Sequence, residues 1–335
     1  MSVLIALLQK ERRCGNVKKR LALTAVLVLF IGLIATAGTV SEAVRHALLL
    51  CADTIVPSLF PFFVLSILLN RLGLPGLLGR VFGRAASALF GVSGEGVSAL
   101  FIGLTGGYPL GASYIGELCV SGRIGRQEGE RLLAFCNNSG PAFIIGAAGA
   151  GVFGSTGVGL LLYAVHVCAA VLTGMLFSGR GDETEERPPA QDDEAALATA
   201  LPDAVKGAVT AVLNVCGFVV FFSAVTALMD AGGVLTACVQ ALATLLRADP
   251  AAIRALLVGI LELGGGIAAM RGLPPTPGNL ALAAFLLGFG SLSVHCQTAA
   301  VLDGTSLSMG HYLLAKALQG TFSMVLAWAL SPLLF

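Results

Sequence analysis

The chain has 335 residues, of which 56% are hydrophobic and only 12% charged, and its mean hydropathy is +0.89. A soluble globule carries about 25% charged residues, so this balance excludes a soluble enzyme or binding module and indicates a polytopic membrane protein. The formal net charge of +1, with basic residues scattered through the loops, leaves no patch for nucleic acid.

In chain order, residues 1–20 form a basic N-terminus. Lys10, Arg12, Arg13, Lys18, Lys19 and Arg20 precede the apolar run of residues 21–40. Such clusters stay on the cytoplasmic side, so the first transmembrane helix is expected to run from inside to outside. Ala35-Thr36-Ala37 resembles a signal-peptidase site, but hydrophobic segments continue to the C-terminus, and a membrane span is the favoured reading. Ser41–Ile55, with Glu42, Arg45, His46 and Asp53 among apolar positions, reads as an interfacial helix that precedes membrane entry at Pro57. Leu78–Leu89, containing Arg80 and Arg84, reads the same way.

The next apolar stretch is broken at Gly103-Leu104-Thr105-Gly106-Gly107-Tyr108-Pro109-Leu110-Gly111, which leaves the arms Val97–Leu104 and Leu110–Val120. Each arm is shorter than the roughly 20 residues of a full crossing. Glu117, near the end of the second arm, is expected beside Arg123 or Arg126. A second interruption, Asn137-Asn138-Ser139-Gly140-Pro141, precedes the apolar run Ala142–Val152. Pro109 and Pro141 suit first helical turns, so two helix starts would point their positive ends at one place and favour an anion such as a carboxylate. His166, in a plain apolar span, is expected to be simply packed.

Residues 178–202 carry seven carboxylates and Pro188-Pro189, and read as a solvated acidic linker between two related halves, 41–177 and 203–335. Glu42-Ala43-Val44-Arg45-His46-Ala47 returns as Asp203-Ala204-Val205-Lys206-Gly207-Ala208. Phe101–Phe135 lies over Phe285–Gln319 without gaps, with Gly106 opposite Gly290. About 23 additional residues in the second half suit one extra helix around Ala251–Met270. The second half is broken in turn at Gly288-Phe289-Gly290-Ser291-Leu292-Ser293-Val294-His295. Backbone interrupted inside a membrane is tolerable only when it is buried in protein or lines a wet cavity. Paired breaks in the two halves of a transporter mark a midplane solute site.

The expected fold is therefore an all-α polytopic membrane protein. It has two related, inverted repeats, broken or re-entrant helices and interfacial amphipathic helices. The halves are inverted if the first crosses the membrane an odd number of times, and parallel otherwise. In the expected site Gly106, Gly107, Gly288 and Gly290 let backbone approach the solute, Asn137, Asn138, Ser139, Ser291, Ser293 and His295 orient it, and Tyr108, Pro109 and Gly140 are also counted as substrate-binding. Glu262, in Leu261-Glu262-Leu263-Gly264-Gly265-Gly266, has two readings: a carboxylate that couples transport to a proton or sodium ion, or a packing acid bonded to nearby backbone. No cofactor or metal is expected. The eight cysteines (14, 51, 119, 136, 168, 216, 238, 296) form no CxxC pair and read as small buried residues. P-loop and GxSxG patterns are absent, so no enzyme is expected.

Three segments carry a resemblance: Ser58–Ser66, Gly106–Ala112, and Glu130-Arg131-Leu132-Leu133-Ala134-Phe135-Cys136-Asn137-Asn138-Ser139-Gly140-Pro141 through Gly146. The chain resembles YlbJ-type sporulation integral membrane proteins of the nucleoside-recognition (Gate) domain group, which is related to concentrative nucleoside transporters. The resemblance covers residues 40–330. It implies an integral protein of the bacterial cell or forespore membrane and a solute such as dipicolinic acid, a pyridine dicarboxylate. The group's name supplies a nucleoside as the rival solute. Partners are then membrane lipid and a small, anionic solute, with a homo-oligomer or other sporulation membrane proteins as further candidates. A non-transporting accessory subunit is the reading of a different class.

Overall fold

The computed structural model describes residues 2–179 and 197–334, so the acidic residues Asp182–Glu194 lie outside the described residues. The described residues form helices without strands. Five of these helices are long and apolar enough to cross a membrane, or six if one bent pair counts as a single span. The chain is thus an all-helical polytopic membrane protein.

Helix α1 (Ser2–Ala35) carries the basic cluster and the first apolar run on one rod, and the chain turns only at Thr36 before α2 (Ala37–Leu50). The side chains of Lys10, Arg12, Arg13 and Lys18 lie outside the described set. The segment expected to lie at the interface before Pro57 is not separate. A π-helical turn, Cys51–Ile55, joins α2 to α3 (Val56–Arg71), giving one continuous helix of 35 residues. Pro57 falls in the first turn of α3, where its missing N–H costs nothing, and so it does not end the helix.

A second helix of the same length, α9 (Leu197–Ala231), opens the second half and absorbs the last residues assigned to the linker. At about 1.5 Å per residue both rods exceed the roughly 30 Å hydrocarbon core, so they tilt or project from it. They pack side by side and antiparallel: Cys51 lies against Cys216 and Ile67 against Gly207, so the partner's number falls as the residue number rises.

Helix α4 (Leu74–Phe90) turns through 91° into α5 (Gly94–Gly106), which is followed by α6 (Leu110–Val120) and α7 (Arg126–Cys136). The run Ala142–Val152 is π-helical throughout. It folds back on α8 (Thr156–Leu176), with Gly149 packed on the backbone of Gly159. In the second half, α10 (Val234–Leu246) leads to the extra element. That element is a helix broken at Glu262 into α11 (Pro250–Leu261) and α12 (Leu263–Ala268). Helices α13 (Pro277–Phe289) and α14 (Leu292–Val301) flank the second break, and α15 (Met309–Leu330) closes the bundle against α13, α8 and α7.

Polar pairs gather where α5, α7 and α15 begin. Arg123 donates to both carboxylate oxygens of Glu95 at 2.8 Å, and Glu128 accepts the Ser93 N–H at 2.6 Å. Glu130 takes Arg126 at 3.0 Å and the Ser308 N–H at 3.2 Å. Glu117 is exposed, and the arginines expected beside it are engaged by Glu95 and Glu130 instead. The described cysteines are free thiols. Cys51 and Cys136 are buried, but Cys168 and Cys238 are exposed on outward helix faces, so burial of small apolar residues is not general here.

If α2–α3 and α9 are antiparallel, Ile67→Cys with Gly207→Cys in a cysteine-free background will crosslink in membranes under mild oxidation. Ile67→Cys with Leu228→Cys will not, and the reverse pattern would overturn this packing.

Candidate functional site

The site is built from the end of α7. At Asn137 the backbone leaves helical geometry (φ −98°, ψ 100°), and the extended segment through Gly140 threads between α5 and α6. Two glycines create the passage. A Cβ on Gly103 would stand 1.5 Å from the Cys136 carbonyl oxygen, and one on Gly111 would stand 2.2 Å from it. No side chain fits at either position, because the obstacle is backbone.

The first break meets this segment directly. Gly107, at φ +87°, lies against the Gly140 backbone, and Gly140 lies against the Gly106 carbonyl. Tyr108 reaches across to the second break, where its hydroxyl is 3.5 Å from the Leu287 carbonyl and close to Gly290. Pro109 caps α6, and the Ser139 N–H donates to His166 Nε2 at 3.2 Å. His166, expected to be plain packing, thus also supports the interruption. Residues 106–112, 136–140, 290 and 291 are buried, which meets the condition for interrupted backbone in a membrane.

Asn137 and Asn138 tie the break to the second half. Asn137 Nδ2 donates to Thr298 Oγ1 (2.9 Å) and to the Tyr312 hydroxyl (3.1 Å), and its Oδ1 accepts the Ala112 N–H at 3.4 Å. Asn138 Nδ2 donates to the Phe135 carbonyl at 2.7 Å, while its Oδ1 accepts from Gln319 Nε2 at 2.8 Å. Lys316, fully buried, donates to the Asn137 carbonyl (2.9 Å) and to Gln319 Oε1 (2.6 Å), and its ammonium lies 5.1 Å from the centre of the Tyr108 ring. Among the described residues no carboxylate forms an ion pair with Lys316. The cluster is therefore a basic centre held by neutral oxygens, beneath an aromatic face.

The remaining expected residues divide. His295 stands edge-on between Phe289 and Tyr312 (centroids 4.9 and 5.5 Å), with no hydrogen-bond partner on either ring nitrogen. Ser291 Oγ caps α14 by accepting the Val294 N–H, and Ser293 Oγ accepts from Gln297, so both serve their own helix. Glu262 is buried, but its oxygens accept the Gly264 and Gly265 N–H groups at the start of α12. No hydrogen bond among the described residues joins it to the Asn137 cluster, and the geometry matches the packing reading of this residue.

Lys316, Gln319, Thr298 and Tyr312 belong to this centre although the interruptions in the sequence do not mark them. A signal was present. Tyr312, Lys316, Gln319 and Ser323 recur at spacings of four, three and four, a single face of α15, and Lys316 is that helix's single Lys, Arg, Asp or Glu.

Fold and site together define an integral membrane protein in which broken helices from before and after the acidic segment close on a buried polar centre with one lysine. The chain belongs to the family of the sporulation integral membrane protein YlbJ. It is 30% identical to that protein of Bacillus subtilis (strain 168) over 308 residues, covering 85% of this chain and 76% of the relative. No protein-family model matches the chain, and no solved structure matches it.

Gln319→Leu removes the donor to Asn138 Oδ1 and an acceptor of Lys316. Thermal unfolding of the purified protein in detergent should show it less stable by about 1–3 kcal/mol, the cost of stranding buried polar groups. An unchanged midpoint would show that the pair does not hold the break.

Proposed function

We propose that this protein is a secondary transporter of a small organic anion, such as dipicolinic acid, and not an enzyme. It would work by alternating access around the centre formed by residues 106–112, 137–140 and 290–298 with Lys316. The observation that carries the reading is Lys316, a buried amine with no carboxylate partner among the described residues, where interrupted helices from before and after the acidic segment meet. Burying an unpaired ammonium costs several kcal/mol, so the chain keeps one there at the expense of stability. An incoming carboxylate supplies the missing counter-charge, and the Asn137, Asn138 and Gln319 amides offer donors and acceptors to the rest of the solute.

The side chains of the centre bond mainly to one another, and the arrangement is closed. Solute binding exchanges these internal bonds for bonds to the solute and requires one half to move against the other. The basic N-terminus supports an orientation with the start of α1 on the cytoplasmic side. The sporulation name of the relative supports a role in the membranes of a spore-forming cell, including the forespore membrane.

Purified protein in liposomes should take up labelled dipicolinate saturably, with another small dicarboxylate competing better than uridine. Lys316→Met should lower uptake by about a hundredfold at retained membrane insertion, corresponding to roughly 2.7 kcal/mol of lost charge pairing. Asn138→Leu should abolish it as well. Stronger competition by uridine would favour a nucleoside. Absence of binding to folded wild-type protein would remove the transporter reading in favour of an accessory subunit.

Gln319→Glu places a carboxylate where Gln319 Oε1 already contacts Lys316. This internal counter-ion should raise thermal stability and block dipicolinate uptake. Undiminished uptake would show that the solute does not use the Lys316 charge.

A further inference from the structure

Resting on the transport reading, we infer that Lys316 is the coupling group: one proton travels on its side-chain nitrogen together with each anion, and Glu262 has no part in coupling. The argument is one of charge balance. Every group facing Lys316 can be named. Asn137, Cys136 and the α7 end lie on one side, His166 of α8 on another, with Tyr108 of the first break, His295 of α14 and Tyr312 of α15 completing the shell. Helix α13, the most extensive neighbour of α15, contributes no titratable side chain. No member of this shell is a carboxylate, so in the closed arrangement nothing among the described residues balances an ammonium.

The anion changes that balance. When a carboxylate enters, the protonated amine neutralises it, so a dicarboxylate is enclosed with one net negative charge instead of two and at lower cost than without the proton. When the carboxylate leaves, the amine is left without a counter-ion, and closing the empty site favours release of its proton to water on the side where the anion departed. The proton is taken from water on the side of loading, and no other bond is made or broken. Two features fit this role. The ammonium has three donors, of which Asn137 and Gln319 occupy two, leaving one for the incoming group. His295, 6% exposed and with both ring nitrogens without partners, provides unsatisfied polar atoms in the same shell. Glu262, by contrast, spends its oxygens on the amides of its own turn.

The test uses the full chain in liposomes, with the membrane potential clamped and labelled dipicolinate as probe in the neutral range, where its carboxylates stay ionised. For one proton per anion the accumulation ratio of the wild type should rise about tenfold for each pH unit of inward acid gradient. Lys316→Arg keeps the cation but cannot give up its proton. It should exchange internal for external dipicolinate at a reduced rate that no longer responds to the pH gradient, whereas Glu262→Gln should keep gradient-driven accumulation. Wild-type exchange that ignores the gradient overturns proton coupling while leaving the transporter intact. Gradient-driven accumulation that survives in Lys316→Arg, or is lost in Glu262→Gln, places the proton elsewhere and overturns the assignment. If Lys316→Arg does not fold, the residual uptake of Lys316→Met takes its place, and a gradient response that survives there overturns the assignment. Absence of both uptake and exchange in the wild type overturns the transport reading and this inference with it.

Discussion

A helix that stops within a membrane exposes amides and carbonyls that lipid cannot bond, and this constraint organises the whole structure. The chain meets it by making its interruptions each other's partners. The extended segment after Cys136 lies in a passage that only Gly103 and Gly111 leave open, and the first break rests on it through Gly107 and Gly140. Tyr108 carries the contact to the second break, near Leu287 and Gly290.

The polar centre that results is a poor device for stability. A neutral hydrogen bond contributes about 0.5–1.5 kcal/mol net, whereas enclosing an unpaired ammonium costs several. The few bonds that Lys316 makes to the Asn137 carbonyl and Gln319 do not offset that cost. An apolar residue at 316 would pack α15 against α7 and α8 more favourably. The presence of lysine is therefore an argument for ligand chemistry, and it outweighs Glu262, whose carboxylate is accounted for by local capping.

Much of the organisation could be read along the chain. Helix α6 and the π-helical run have the limits expected from the apolar arms Leu110–Val120 and Ala142–Val152, and the extra helix of the second half lies where the repeat offset put it. These features depend on local signals: glycine and proline at interruptions, caps at helix starts, and apolar runs of given length. Where expectation and structure part, a non-local force decided. Ser41–Ile55 joins the following helix because its apolar side packs along α9, so partial polarity did not confine it to the interface. Arg123 turned from Glu117 to Glu95 because the α5 and α7 starts converge. His166 gained a role because the Ser139 amide needed an acceptor.

The sequence by itself determined the membrane class and the positions at which helices must break, since composition and glycine placement act within a few turns. Only the tertiary structure decided that those breaks meet one another, and that Lys316, Gln319, Tyr312 and Thr298 close around Asn137 and Asn138. The hydrogen bonds between Asn137 and Thr298 and between Asn138 and Gln319 span 161 and 181 residues. Such pairings arise from how whole helices pack, and no local pattern specifies which buried polar groups will face one another.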